Sequence, residues 1–198
     1  MGPLETNCYV LVEGEEAVAI DPGGKADSVL RFLEQNALKL VAVCNTHLHF
    51  DHILGNAQLA EKSGAAIYAN PGDDYLLGSE FSGQRFGMPD TQPFTYQPWG
   101  EAEVTLLGLA CQILHTPGHT PGSLSYYFPG QAALFCGDLL FHRSVGRTDL
   151  PGGDADALRN SVRGKIFPLP EQTVVYPGHG PATTVGEEKR LNPYVGGL

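Results

Sequence analysis

At 198 residues the chain is long enough to bury one sizeable core, and its 42% apolar and 17% charged residues exclude a disordered segment. A formal net charge of −10 with no Lys/Arg cluster argues against a nucleic-acid binder, which needs a basic surface to release counterions. No apolar run approaches the roughly 20 residues that span a bilayer. The opening residues Met1–Thr6 lack the basic region and apolar stretch of a secretory signal, so a cytoplasmic protein with no membrane partner is expected.

Short apolar runs closed by Gly or Pro predict strands over 8–12, 17–20, 40–44, 65–68, 104–107, 111–114, 124–128, 132–135 and 173–176. The first of these lies so near the start that the chain reads as opening in mid-strand, with part of a first strand missing. Helical spacing of apolar residues predicts helices over 26–35, 53–63 and 155–166. Thr184-Val-Gly-Glu187 reads as a capping box that opens one more helix, stopped by Pro193. The segment 80–98 has no clear period and is expected to be a long loop. Its Phe81, Phe86, Phe94 and Tyr96, with Trp99, are read as packing onto the core or as lining a substrate pocket. Cys8, Cys44, Cys111 and Cys136 are scattered with no Cys-x-x-Cys pair, which predicts buried thiols in a reducing compartment.

The chemistry is concentrated in Thr46-His47-Leu48-His49-Phe50-Asp51-His52. In an extended stretch His47 and His49 project to one side, while Asp51 and His52 fall where the next helix begins. One segment thus offers two ligands to each of two adjacent metal ions. Imidazole nitrogen and carboxylate oxygen suit zinc, with iron or manganese also compatible. His119, Asp138 and His179 complete a set of five histidines and two aspartates. Each of these three follows an apolar strand through a turn whose glycine immediately precedes the ligand, as expected where strand ends converge on an ion. Asp138 is the natural bridge, because a carboxylate can hold both ions. Asp21, in Ile20-Asp-Pro-Gly23, reads either as a carboxylate orienting a ligand from outside the cage or as an Asx turn. His115 and His142 are not needed as ligands.

This pattern resembles the metallo-β-lactamase superfamily. Thr116-Pro-Gly-His-Thr-Pro-Gly122, Gly137-Asp-Leu-Leu-Phe141, Gly146-Arg-Thr-Asp149 and Tyr176-Pro-Gly-His179 are similar to its glyoxalase II branch of hydroxyacylglutathione hydrolases. The resemblance implies an α+β αββα sandwich, two mixed sheets with helices on the outer faces, as one domain over residues 1–198. It implies that His47, His49 and His119 hold one metal and Asp51, His52 and His179 the other, with Asp138 between them. The chain resembles the short bacterial relatives, since the helical C-terminal region that helps grip glutathione has no counterpart in the 19 residues after His179.

The reaction expected is attack of a metal-bridging hydroxide on a thioester such as S-lactoylglutathione, with Asp51 orienting the hydroxide. Arg143 and Arg147, beyond the Asp138 strand, are candidates to meet an anionic substrate. A lactonase would use the same cage. A persulfide dioxygenase of the same superfamily would instead hold one iron through His47, His119 and Asp138.

Overall fold

The structure is a computed structural model that describes residues 1–78 and 83–197, without the side chains of Arg85 and Phe86. Glu80, where the expected long loop begins, Phe81 and the Phe86 ring lie outside the described residues. The chain forms two compact units, Met1–Trp99 with Leu106–Gly108, and Gly100–Thr105 with Leu109–Leu198.

The first unit is built on a five-stranded sheet in the order β1-β2-β3-β4-β5. β1 (Tyr9–Glu13) runs antiparallel to β2 (Glu16–Ile20). β2, β3 (Lys39–Cys44), β4 (Ala66–Ala69) and β5 (Gln97–Pro98) are parallel to one another. Residues 2–5 form a turn and strand pairing starts at Tyr9, where a strand already under way at the first residues was expected. Helix α1 (Asp27–Gln35) buries Val29 and Leu33 against Ala17, Ala19 and Val43 of the sheet. The helix expected over 53–63 is two helices, α2 (Phe50–Ile53) and α3 (Asn56–Ser63). The break has a tertiary cause. A Cβ on Gly55 would stand 2.7 Å from the Gly24 carbonyl oxygen, and the Gly55 N–H donates to Pro22 O at 2.8 Å.

The second unit carries a six-stranded sheet in the order β13-β12-β9-β8-β7-β6. Its strands are β6 (Ala102–Leu106), β7 (Leu109–His115), β8 (Leu124–Phe128), β9 (Ala133–Gly137), β12 (Val174–Pro177) and β13 (Thr183–Thr184). β9 and β12 are parallel, whereas β7/β8, β8/β9 and β12/β13 are antiparallel. A small hairpin, β10 (Leu140–Phe141) with β11 (Ser144–Val145), follows β9. The helix expected over 155–166 is α4 (Ala155–Ser161) continued by a wider π-helical turn, Val162–Ile166, in which Phe167 N–H reaches Val162 O at 2.9 Å. Leu158, Val162 and Ile166 still share one face and pack on Leu134, Cys136 and Val175. α5 (Val185–Leu191) opens on the expected cap, with the Thr184 hydroxyl accepting from Glu187 N–H at 3.2 Å.

The four strands the sequence did not announce, β5, β10, β11 and β13, are each two residues long. Such pieces show no alternation to read. Both sheets are mixed, which gives the α+β class expected.

Candidate metal centre

The seven expected ligands divide between the units, His47, His49, Asp51 and His52 in the first and His119, Asp138 and His179 in the second. In the first unit, parallel pairing of Ile20 with Cys44 brings Asp21 and the histidine loop to the same edge of the sheet. His49 is extended (φ −62°, ψ 142°) and the helix begins at Phe50, so the switch from alternating to helical direction falls where the motif predicts. The His47 ring lies 4.8 Å from that of His49 and 4.1 Å from that of His52.

Asp21 is buried and organises this loop. Its Oδ1 accepts from Thr46 N–H at 2.7 Å, and its Oδ2 accepts from Thr46 Oγ1 at 2.5 Å and faces His52 Nδ1 at 3.0 Å. Because a carboxylate only accepts, His52 donates from Nδ1, which leaves Nε2 as the ring's lone-pair atom. The same logic extends to His47. Thr46 spends its single proton on Asp21, so at 3.0 Å its oxygen accepts from His47 Nδ1. Both rings therefore present Nε2 in the form that binds a cation. Oxygen and nitrogen ligand atoms of Asp21, His47 and His52 lie within 4.8 Å of one another. Gly23 N–H reaches the backbone carbonyl oxygen of Asp21 at 2.7 Å, a γ-turn and not the Asx turn that was the alternative, because both side-chain oxygens of Asp21 face Thr46 and His52.

In the second unit β9 and β12 run parallel, with Gly137 opposite Pro177, so Asp138 and His179 leave the sheet side by side. His119 joins them from the loop between β7 and β8. Gly118 (φ 142°) and Gly137 (φ 52°) adopt the conformations that glycine alone takes readily; in the third motif the positive φ falls on Gly180, after the histidine. The loop 116–123 is pinned by Thr116 Oγ1 with Ser125 Oγ at 2.9 Å and Thr120 Oγ1 with Ser123 Oγ at 2.8 Å. His119 Nδ1 donates to Arg147 O at 2.8 Å, which again leaves Nε2 as the ring's lone-pair atom.

This donor set fits a divalent cation. Asp51 Oδ2 lies 3.6 Å from His52 Nε2, and Asp138 Oδ2 lies 3.6 Å from His119 Nε2 and 3.5 Å from His179 Nε2. Those separations exceed a normal N–H···O bond. They match two ligands on one ion with bonds of about 2.1 Å.

Other side chains expected near the chemistry have their own partners. The Arg147 guanidinium makes two 2.8 Å bonds to Asp149 and holds its carboxyl down at about 2. Arg143 lies 3.6 Å from Glu187 and 4.0 Å from Glu188. His115 Nε2 contacts Pro121 O at 2.8 Å, and His142 Nδ1 lies 3.8 Å from Glu188. Phe94 and Tyr96 pack against the first unit's core, and Trp99 stacks on Tyr68 at 4.1 Å. Burial pushes the Cys8 and Cys111 thiols up to about 12, which keeps both protonated.

Thr6 and Asp73 carry no role in the sequence motifs. Thr6 Oγ1 donates to Asp51 Oδ2 at 3.0 Å, and the buried Asp73 accepts Leu48 N–H, between His47 and His49, at 3.3 Å. No local signal could have found them, because the contacts cross 45 and 25 residues of chain.

The metallo-β-lactamase superfamily profile matches residues 1–179. The hydroxyacylglutathione hydrolase GloC of Haemophilus influenzae is 38% identical, over 97% of this chain and 93% of its own. The B3 metallo-β-lactamase BLEG-1 superposes with a TM-score of 0.92 at 40% identity, covering 100% of this chain and 97% of its own. TTHA1623, solved in a di-iron-bound form, superposes at 0.89 with 41% identity, covering 98% and 97%.

Proposed function

This chain belongs to the metallo-β-lactamase superfamily of metal-binding hydrolases and has its fold, and we propose that its reaction is the hydrolysis of a thioester such as S-lactoylglutathione. The observation that carries this reading is Asp138, whose Oδ2 stands at nearly equal distances, 3.6 and 3.5 Å, from His119 Nε2 and His179 Nε2. One oxygen between two coordinating imidazoles suits a carboxylate shared by two ions. In this reading His47, His49 and His119 would hold one ion and Asp51, His52 and His179 the other, with Asp138 as the carboxylate that could serve both. Zinc suits these donors, and the di-iron form of TTHA1623 keeps iron beside it, with manganese a third fit. When bound, such ions would lower the pKa of water to about 7, which supplies a nucleophile at neutral pH.

The chain's own residues then orient and hold. Asp51 accepts a hydrogen bond from the attacking water and aims it at the carbonyl carbon. Asp21 keeps the His52 and His47 rings turned with Nε2 inward, directly for the first and through Thr46 for the second. A thiol leaving group of pKa about 8.5 departs as thiolate with little need of a general acid. Arg147 and Arg143 are the cations proposed to meet an anionic substrate, each in exchange for the carboxylate it now holds, Asp149 and Glu187. A glutathione-linked substrate is favoured by the likeness to GloC. Residues 1–198 are read as a single functional domain, and the protonated Cys8 and Cys111 suit the reducing cytoplasm.

The test is metal quantification on natively purified protein, coupled to a panel of thioester, lactone, β-lactam and glutathione persulfide substrates. Two ions per chain with thioester turnover above the others is the expected result. One iron per chain with oxygen uptake on the persulfide would replace this reading with a dioxygenase.

A further inference from the structure

We propose that Thr6 is a positioning residue that orients the Asp51 carboxylate and thereby sets the affinity for the one ion that Asp51 helps to hold; this rests on the reading of Asp51 as a ligand. Thr6 is fully buried, and its hydroxyl donates to Asp51 Oδ2 at 3.0 Å. That same oxygen is the one 3.6 Å from His52 Nε2, so the hydrogen bond falls on the atom paired with the coordinating nitrogen. The terminal torsion of a carboxylate is broad, so a fixed donor narrows the orientations it takes. A donor anchored in the core holds one oxygen toward His52 and keeps it there whether or not an ion is bound. Hydrogen bonds of this kind to a ligating group tune metal affinity.

The close approach has a sequence cause. A Cβ at Gly23 would lie 1.8 Å from the Asp51 carbonyl oxygen and 2.8 Å from Thr6 Cβ. The missing side chain at Gly23 is what lets the N-terminal turn and the start of α2 meet. The effect is selective, because His47 is oriented by a different hydroxyl, Thr46, and the Leu48 N–H between His47 and His49 is held by Asp73.

The experiment compares Thr6→Val, Thr6→Ser and Asp51→Asn with the parent protein by metal content and by chelator competition for each ion. Thr6→Val keeps the shape and removes the donor, and it is expected to weaken one of the two ions by about 10–100-fold while the other is unchanged. Thr6→Ser, which keeps the hydroxyl, is expected to retain both. Thr6→Val holding both ions as tightly as the parent, while Asp51→Asn loses one, would overturn the proposal and leave Asp51 as a ligand. Loss of an ion in Thr6→Ser equal to that in Thr6→Val would overturn it too, since packing and not the hydroxyl would then be responsible. If Asp51→Asn itself retains both ions at parental affinity, the ligand reading fails and the proposal falls with it.

Discussion

Asp21 sits in the left-handed region at φ 48°, where asparagine is among the few residues that substitute without backbone strain. Asp21→Asn therefore isolates the carboxylate charge and its acceptor for His52 Nδ1. It is expected to weaken metal binding by about 10–100-fold, read by chelator competition, and also to lower the melting temperature of the metal-free protein, because the amide NH2 faces a buried donor of Thr46 or His52. Asp149 offers a pH-dependent counterpart on the segment whose Arg147 carbonyl receives His119 Nδ1. Its hydrogen bonds to the Arg147 guanidinium depress its carboxyl to about 2 from an ordinary 3.8. A depressed acid favours the folded state above its unfolded pKa, and the benefit is lost as pH falls toward 2. The pair is therefore intact throughout the neutral range. A carboxyl titration followed by NMR should place Asp149 near 2 and move it up toward its ordinary value in Arg147→Ala, with the remaining depression due to the backbone hydrogen bond.

Helix ends are where short-range sequence signals meet structure. Asp154 caps α4 by accepting from Asp156 and Ala157 N–H, both at 2.9 Å, and Thr184 caps α5. Asp154→Ala and Thr184→Ala should each cost about 1 kcal/mol in urea denaturation. Gly118 makes a harsher demand. A Cβ there would come within 2.3 Å of the Leu158 backbone, and φ is 142°. Gly118→Ala must push the loop that bears His119 away from α4, and loss of metal should accompany a lower melting temperature. The hairpin of β10 and β11 is tied to α5 through Glu188, a buried carboxylate that accepts from Arg143 N–H at 3.0 Å, Thr183 Oγ1 at 2.7 Å and Asn192 Nδ2 at 2.8 Å. Glu188→Ala would take this acceptor from Arg143 N–H and the Thr183 hydroxyl, at about 1–3 kcal/mol for a donor left buried without a partner, while Asn192 Nδ2 keeps Ser144 O at 3.0 Å. A fall in the urea midpoint clearly larger than that of either cap variant would confirm the tie.

For the molecule as a whole, any ion that binds only the folded chain adds stability by mass action, about 2.7 kcal/mol at a hundredfold excess over Kd. Stripping metal with a chelator should lower the melting temperature, and zinc should restore it in a concentration-dependent way. That the candidate side chains His119, Asp138 and His179 follow strand ends was legible from residues alone, because a strand, its closing glycine and the side chain after it are contiguous. The strands of β3, β8 and β12 and the cap at Thr184 were legible for the same reason. The breaks at Gly55 and at the π-helical turn were not, since both helical patterns continue through them; at Gly55 the break follows from what packs against the helix, the backbone of Pro22 and Gly24. By itself, then, the sequence determined which residue types offer themselves to a metal and in what local order, as these depend on spacing along the chain. Only the tertiary structure decided which imidazole nitrogen and which carboxylate oxygen face inward. The partners that settle it, Asp21 for His52 and Thr6 for Asp51, lie 31 and 45 residues away, and parallel strand pairing and a missing Cβ at Gly23 bring them within hydrogen-bond reach.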